Sequence, residues 1–186
     1  MSNEVSVGTW HSRGYLPHFE QEGAVQSVTF RFADSLPNGC GKAADPRKIV
    51  NEELDRGRGA CLLSIPAIAE LMVEILLHFD GVRYRLLAWV IMPNHVHAIL
   101  EPLPGWTLSK ILQGWKGYSA HEINSRLDRR GQVWESESYN RVIRDENHFW
   151  RAIQYIHWNP VKAGLATEPE DFPWSSAILW KLRQEQ

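Results

Sequence analysis

Residues 83–101 read RYRLLAWVIMPNHVHAILE, and this stretch decides the fold class. Its two apolar runs, residues 83–92 and residues 95–101, have the length and composition of β-strands. Only Pro93-Asn94 separates the runs, and a link this short favours an antiparallel hairpin. The stretch therefore predicts two paired antiparallel strands.

Further elements on both sides of the hairpin predict helices packed on a sheet. Residues 24–32 alternate apolar and polar side chains, as a half-buried strand does. Apolar residues at three- and four-residue steps predict a helix that Ser64 caps and Gly81 ends. Downstream we expect a helix from Thr107 to about Leu127, a strand over Val133–Ile143, and a third helix that Asp145 caps and that ends at Asn159-Pro160. This order indicates an α+β sandwich, with helices laid on a largely antiparallel sheet.

Length and composition fit one compact domain. A chain of 186 residues lies within the usual domain size of about 100–200 residues. Hydrophobic residues make up 44% of the chain and nine are tryptophan, which is ample material for a core. We therefore expect residues 1–186 to form a single domain. Within it, the Gly-, Pro- and charge-rich residues 36–60 are a loop insertion, and residues 163–186 are a C-terminal extension.

The sequence gives no indication of a membrane partner. No run approaches the ~18–20 apolar residues that span a bilayer, and residues 1–10 lack the pattern of a signal peptide. Cys40 and Cys61 stand far apart without a CxxC neighbour, so they predict neither a disulfide framework nor a zinc ribbon. We therefore expect a cytoplasmic protein.

Basic residues concentrate in the middle of the chain. The net charge is −2, yet residues 83–162 carry 11 Lys and Arg against 7 Asp and Glu. The flanking residues 1–82 and 163–186 are each net acidic. A local basic patch on a neutral protein fits a phosphate-binding surface, although an ordinary mixed surface would give the same pattern.

His95-Val96-His97 lies in the second strand of the hairpin. Residues two apart on a strand point to the same face, so the two imidazoles project side by side. Two neutral imidazoles in this arrangement can bind one divalent ion, whereas a structural histidine pair would need other partners for its polar atoms. The pair is therefore a candidate metal site.

Tyr155 lies on the third predicted helix, away from the apolar stripe of that helix. At about 100° per residue, it shares a separate stripe with His148, Ala152 and Asn159. An imidazole, an amide and a phenol on one face can meet a metal or a phosphate, whereas a surface tyrosine would only contact water. Tyr139, in the preceding strand, is the rival nucleophile.

Three spaced motifs carry a resemblance to a known family. They are residues 87–97 (LAWVIMPNHVH), residues 140–146 (NRVIRDE) and residues 155–165 (YIHWNPVKAGL). In this order they resemble the REP-associated tyrosine transposases, which are related to the transposases of single-strand insertion sequences and belong to the His-hydrophobic-His nuclease class. Residues 10–36 and the closing FPWSSA of residues 172–177 are also similar to that family, so the match covers nearly the whole chain.

The resemblance implies a ferredoxin-like α+β fold and a metal-dependent enzyme that nicks and joins single-stranded DNA at palindromic hairpins. It implies that His95 and His97 bind Mg²⁺ or Mn²⁺, and that Tyr155 attacks the DNA, becomes joined to the 5′ phosphate and leaves a free 3′-OH. Asn159 stands where insertion-sequence relatives carry a glutamine as third ligand, and His148 is an alternative ligand from the same stripe. A bacterial, nucleoid-associated location follows from such a substrate.

Several side chains around these motifs are candidates for contact with DNA. The candidates for phosphate contact are Arg141, Arg144, Arg151 and Lys162 beside the third helix, and Lys110 and Lys116 on the second. The indoles that could stack on unpaired bases are those of Trp106, Trp115, Trp134 and Trp158. Each cation could equally be a solvated surface charge, and most tryptophans are core residues, so we expect one or two indoles at most to stack.

Two other functions compete with the transposase hypothesis. A protein that recognises DNA hairpins but has lost catalysis would fit the shorter amide of Asn159. A hydrolytic metal site for another substrate fits less well, because no Asp or Glu lies beside the histidine pair within the hairpin. A monomer and a homodimer that shares tyrosines between subunits are both compatible with the sequence.

Overall fold

The computed structural model describes residues 9–12, 17–20, 23–36, 53–54 and 56–184. Its strands are β1 (Thr9–Ser12), β2 (Pro17–Glu20), β3 (Gln26–Arg31), β4 (Tyr84–Met92), β5 (His95–Pro102) and β6 (Tyr139–Val142). Its α-helices are α1 (Pro66–Leu77), α2 (Leu108–Arg126), α3 (Glu146–Lys162) and α4 (Ala177–Gln184). Most of the loop predicted over residues 36–60, including Cys40, lies outside the described residues. None of the described helices has both the length and the apolar character needed to cross a membrane.

A four-stranded antiparallel sheet forms the middle layer, in the order β4-β5-β3-β6. β4 and β5 form the predicted hairpin, with Met92 opposite His95. β3 places Thr29 between His97 of β5 and Tyr139 of β6. The chain order β3-α1-β4-β5-α2-β6, combined with this spatial order, is ferredoxin-like. The predicted α+β fold class is therefore confirmed.

Helices cover both faces of this sheet. α1 and α2 pack on one face and α3 packs on the other. Along β5, Val96 and Ala98 are buried in the core with α1 and α2. His95 and His97 have the opposite parity, so they face α3. The alternation of β5 thus places the histidine pair between the sheet and the helix that carries Tyr155.

The predicted start of the first helix is wrong. Ser64 does not cap α1, because it ends a 3-10 turn at Leu62–Ser64, and Ile65 is the N-cap without any side-chain hydrogen bond. Pro66 occupies the first position of α1. Its fixed φ suits the first turn, and its missing N–H needs no partner there, so the helix starts without a polar cap.

The strand predicted over Val133–Ile143 is too long, since only the four residues of β6 belong to the sheet. Before β6, Trp134 forms an isolated bridge with Phe32. The next residues, 135–138, read ESES and have no apolar side to bury against the helices. They turn towards α2 instead, where Lys116 Nζ donates to Ser136 O at 2.8 Å.

The predicted end of the third helix at Asn159-Pro160 is also wrong, because α3 continues to Lys162. Proline breaks helices by removing one N–H and by crowding the preceding turn, but in the last turn it costs only one hydrogen bond. Beyond it, Ala163 N donates to Asn159 O at 3.0 Å, and Leu165 N donates to Pro160 O at 2.8 Å. Asn159 therefore stays in helical geometry, one turn after the tyrosine.

Residues 172–180 pack along the outer edge of β4. Ile91 N donates to Trp174 O at 2.8 Å, and Ser176 N donates to Trp89 O at 2.9 Å. The hydroxyl of the same serine lies 3.0 Å from the Nε2 atom of a buried histidine of α3. The segment therefore joins the edge of the sheet to α3.

Candidate active site

His95 and His97 form a buried imidazole pair under α3. Their exposed fractions are 0% and 2%, and their rings meet edge to face with centroids 4.6 Å apart. The two Nε2 atoms lie 3.0 Å apart. The side-by-side projection predicted from the spacing of two residues is the geometry observed.

Hydrogen bonds at the opposite ring nitrogens orient the pair. Asn94 Nδ2 donates to Arg58 O at 2.8 Å, so Asn94 Oδ1 is left to accept from His95 Nδ1 at 2.7 Å. His95 then has its proton on Nδ1 and a lone pair on Nε2. Thr29 Oγ1 lies 2.6 Å from His97 Nδ1, and the hydroxyl can either donate or accept there. When it accepts, the lone pairs of both Nε2 atoms point to the same space.

Burial keeps both imidazoles neutral near pH 7. Desolvation lowers the pKa of His95 well below its usual range, and the neighbouring His97 lowers it further. Desolvation also lowers the pKa of His97, to about 3. Only a neutral imidazole has a free lone pair, so the pair is held in the form that binds metal ions.

Tyr155 reaches the same space from α3. Its ring centroid lies 5.4 Å from that of His97, at an interplanar angle of 78°. Tyr155 is half-buried and lines a cleft of about 480 Å³ that also reaches His97 and Tyr139. Lys162 Nζ lies 5.2 Å from the centroid of the Tyr155 ring. The structure thus brings a phenol, an ammonium group and the histidine pair together.

Asn159 completes the buried part of the cleft. It is 0% exposed, and its Nδ2 lies 3.4 Å from His97 Nε2. Its Oδ1 is buried and has no hydrogen-bond partner among the described residues. A buried amide oxygen without a partner is costly, and rotating the amide by half a turn would exchange its oxygen and nitrogen.

The donors present fit a divalent ion. Two neutral imidazole nitrogens and one amide oxygen are ligands that Mn²⁺ accepts, and Mg²⁺ accepts the oxygen. A bound ion would also satisfy the Asn159 oxygen. Among the described residues, no group of three or more His, Cys, Asp and Glu residues has metal-binding geometry.

Three more predicted residues line the cleft: His148, Arg141 and Arg151. Desolvation is the main cause that lowers the pKa of His148, and the charge of Arg141 lowers it further. The His148 imidazole is therefore neutral near pH 7. However, His148 Nδ1 accepts the backbone N–H of Arg144 at 3.3 Å. Arg144 itself is exposed next to the start of α3. Cations thus reach the cleft from both sides, Arg141 from β6 and Arg151 from α3.

The structure does not bring Lys110 and Lys116 to this cleft. Both belong to α2, which packs on the other face of the sheet. Lys110 is exposed, and Lys116 lines a different groove of about 700 Å³. Contact between these two lysines and DNA would therefore need a strand or hairpin that extends beyond the cleft.

The four tryptophans predicted as stacking candidates differ in exposure. Trp115 and Trp134 are core residues, at 3% and 4% exposed. Trp106 is half-buried, and the Arg83 guanidinium lies 4.4 Å from its ring centroid. Trp158 is 43% exposed on α3. The expectation that most of them are packing residues agrees with this.

Sequence reasoning missed Thr29 and Asn94, the partners of the two histidines. Thr29 is a polar residue within β3, and Asn94 is a polar residue in the turn before β5, and this polarity was the available signal. Thr29 belongs to the polar stripe of β3, and that stripe faces the cleft. Asn94 directly precedes the pair and is 0% exposed. A hairpin asparagine is usually explained by the turn itself, so its role as a partner of His95 could not be separated from turn formation.

The protein belongs to the α+β class, with a ferredoxin-like sheet. On that sheet, a neutral histidine pair faces a tyrosine from the covering helix. The chain belongs to the IS200-like transposase family, whose model, "Transposase IS200 like", matches residues 66–159. The matched range begins at α1, ends at Asn159, and includes both histidines and Tyr155. The resemblance stated from the motifs is thereby confirmed.

Individual relatives agree with the family. The chain is 28% identical over 98 residues to a REP-associated tyrosine transposase of Escherichia coli K12, a match covering 50% of this chain and 54% of the relative. It is 23% identical over 103 residues to a putative REP-associated tyrosine transposase of Haemophilus influenzae, covering 50% and 58%. The chain thus spans about half the length of the curated relatives it matches. A solved REP-associated tyrosine transposase bound to a REP hairpin has the same fold, with a TM-score of 0.60 and 17% identity over 90% of this chain and 82% of that one.

Proposed function

We propose that this protein cuts and rejoins single-stranded DNA at hairpins of palindromic repeats, with Tyr155 as nucleophile. The observation that carries the proposal is the contact between Tyr155 and His97, whose ring centroids lie 5.4 Å apart in one cleft. Family membership supports a DNA transposase, and the relatives' names support REP-type hairpins as the substrate.

Mg²⁺ or Mn²⁺ would be held by His95, His97 and Asn159. When bound, such an ion neutralises phosphate oxygens and stabilises charge that develops at phosphorus. Thr29 and Asn94 fix the rings, and burial keeps the imidazoles neutral. The proposal leaves His148 as an alternative ligand only if its bond to Arg144 N breaks.

Tyr155 would supply the nucleophilic oxygen. A bond forms from Tyr155 Oη to phosphorus while the bond from phosphorus to the 3′ oxygen breaks. The phenolic proton leaves to solvent, and the 3′ oxygen takes up a proton. A phenol is only about 0.1% ionised at pH 7, so positive charge near the phenol assists the attack. Lys162 Nζ lies 5.2 Å from the Tyr155 ring centroid, and Arg141 and Arg151 line the cleft, so these cations would supply that charge.

The phosphotyrosine bond conserves the energy of the broken phosphodiester. Another 3′-OH can therefore attack it and release Tyr155, which gives strand transfer without ATP. We further propose that residues 1–186 act as one transposase-like domain on nucleoid DNA, either as a monomer or as a homodimer. Light scattering on the DNA-bound protein would distinguish these two states.

The test is covalent capture of labelled DNA. Wild-type protein is incubated with Mg²⁺ or Mn²⁺ and a panel of single-stranded hairpins, and the products are separated under denaturing conditions. We expect a covalent adduct from the wild type and from Tyr139→Phe, a change at the other phenol of the cleft. We expect no adduct from Tyr155→Phe, with DNA binding largely unchanged because only one oxygen is lost.

Two results would contradict the proposal. An adduct from Tyr155→Phe, or its loss in Tyr139→Phe, would assign the nucleophile to the strand rather than to the helix. Hairpin binding without any adduct from the wild type, under both metals, would instead support a hairpin-binding protein that has lost catalysis.

A further inference from the structure

Four residues form one stripe along α3, three of them facing solvent and Tyr155 half-buried at the cleft: Arg151, Tyr155, Trp158 and Lys162. Their spacing of four, three and four residues keeps them within about 60° of one another around the helix axis and spreads them over about 16 Å. Arg151, Trp158 and Lys162 are all exposed. The candidate nucleophile thus lies between two cations, with an indole beside it.

Trp158 is exposed in a way that core packing does not explain. It is 43% exposed, and no hydrogen bond or ring contact holds its indole among the described residues. Burying an indole is strongly favourable, and this open indole lies where a ligand bound next to the candidate nucleophile would cover it.

Trp150 provides an internal comparison on the same helix. It is 44% exposed, but its Nε1 donates to Glu146 Oε1 at 3.3 Å. Its ring also contacts those of Phe149 and Trp180, with centroids 5.5 Å and 5.6 Å apart. At about 100° per residue, Trp150 lies about 140° around the axis from Tyr155, whereas Trp158 lies about 60° away. Of the two indoles, Trp158 is therefore the nearer to the side of α3 that carries Tyr155.

We propose that an unpaired DNA strand lies along the axis of α3 and that an unpaired base next to the cleaved phosphodiester stacks on Trp158. Arg151 and Lys162 would contact phosphates on either side of the bond that Tyr155 attacks. The ligand class is single-stranded nucleic acid, because bases in a duplex are already stacked and cannot lie on an indole. This inference rests on the proposed function, since it names how that substrate is held.

The experiment measures stacking directly. Oligonucleotides carry the hairpin and a single-stranded flank with 2-aminopurine at one position at a time, and the protein carries Tyr155→Phe so that binding is observed without cleavage. We expect quenching of 2-aminopurine fluorescence at one flank position. Trp158→Ala in this background removes the quenching and raises the Kd about 10-fold, while Trp158→Phe keeps most of both effects.

Trp150→Ala is the matched control, since it removes an equally exposed indole from the same helix. It is expected to leave quenching and Kd unchanged. Equal effects of Trp158→Ala and Trp150→Ala, or no effect of either, would overturn the inference. So would a change from dimer to monomer in Trp158→Ala without DNA, because Trp158 would then pack against a second copy. Thermal unfolding of each variant confirms that the fold is retained.

The covalent assay separates this inference from the proposed function. If the wild type forms the adduct but Trp158→Ala binds and quenches like the wild type, the strand path is wrong and the nuclease stands. If no adduct forms but Trp158-dependent quenching persists, the strand path is supported and catalysis by Tyr155 fails.

Discussion

Asn94 connects the segment before α1 to the histidine pair. Its amide nitrogen donates to Arg58 O at 2.8 Å, and its amide oxygen lies 2.7 Å from His95 Nδ1. Because the two ends of the amide have different partners, the side chain has one favourable orientation. That orientation fixes the tautomer of His95, and the tautomer decides whether Nε2 is available to an ion.

Replacing Asn94 should weaken metal binding at the histidine pair. Asn94→Ala removes the acceptor of the His95 Nδ1 proton, and loss of such partners typically weakens metal affinity about 10- to 100-fold. Isothermal titration of Mn²⁺ into DNA-free protein measures the effect. Asn94→Asp keeps an acceptor for His95 but no donor for Arg58 O. Its Mn²⁺ affinity should therefore lie between those of the wild type and Asn94→Ala.

Asn124→Ala is the control for the Asn94 prediction. Asn124 Nδ2 also donates to a backbone oxygen, Gly131 O at 2.9 Å, but it lies on α2, across the sheet. It should leave Mn²⁺ affinity unchanged. If Asn94→Ala binds Mn²⁺ as the wild type does, the amide serves only the turn, and the assignment of the His95 tautomer has no bearing on the metal.

At the scale of elements, α3 shows what the sequence could predict and what it could not. The helical wheel separated Tyr155 from the apolar stripe, because a helix packed by one face repeats its pattern locally. It could not predict that α3 passes through Pro160, since this depends on hydrogen bonds that form beyond the proline. Nor could it separate Asn159 from a surface amide, because burial of that residue arises from the sheet that α3 covers.

Gly164 ends α3 and thereby holds its last turn in place. It has φ +71°, where a side chain is strained, and its N donates to Val161 O at 3.0 Å. Gly164→Ala should lower stability by about 1 kcal/mol through the backbone alone, because a Cβ there meets nothing within 4 Å. For a chain of this size, that corresponds to a fall in Tm of about 3 °C.

At a second glycine, Gly117, we expect the opposite effect of alanine on stability. Gly117 lies inside α2 without a positive φ, and a Cβ there also meets nothing within 4 Å. Alanine should therefore raise stability by up to about 1 kcal/mol. Thermal unfolding of both variants is the measurement. A rise in Tm for Gly164→Ala would mean that the last turn of α3, which carries Lys162, does not depend on a left-handed residue at position 164.

At the scale of the whole molecule, the sequence predicts the local parts of the sheet but not how its strands are ordered in space. The hairpin and the order of elements were predictable, because both depend on neighbouring sequence. The order β4-β5-β3-β6 was not, since β3 pairs with strands more than 60 residues away. The packing of residues 172–180 on β4 was also missed, because a segment that adds to an edge through its backbone has no side-chain pattern of its own.

The edge of β4 should depend on this segment for its stability. A chain that ends at Asp171 loses the backbone hydrogen bonds of Trp89 and Ile91 and the bond from Trp180 Nε1 to Leu87 O. Together with exposure of the indole, this should cost about 4 kcal/mol, or roughly 10 °C in Tm. Amide exchange at Trp89 and Ile91 should quicken most, because these groups would then face solvent.

A chain that ends at Lys181 is the matched control, because it keeps every one of these bonds and loses only residues beyond them. It should unfold within a few degrees of the full chain and protect the same two amides. The uncovered edge of the shorter chain would also be free to pair with a second sheet, so it should aggregate on heating. If both truncations instead unfold like the full chain, β4 is held by β5 alone, and the position of α3 over the histidine pair does not depend on the segment that joins them.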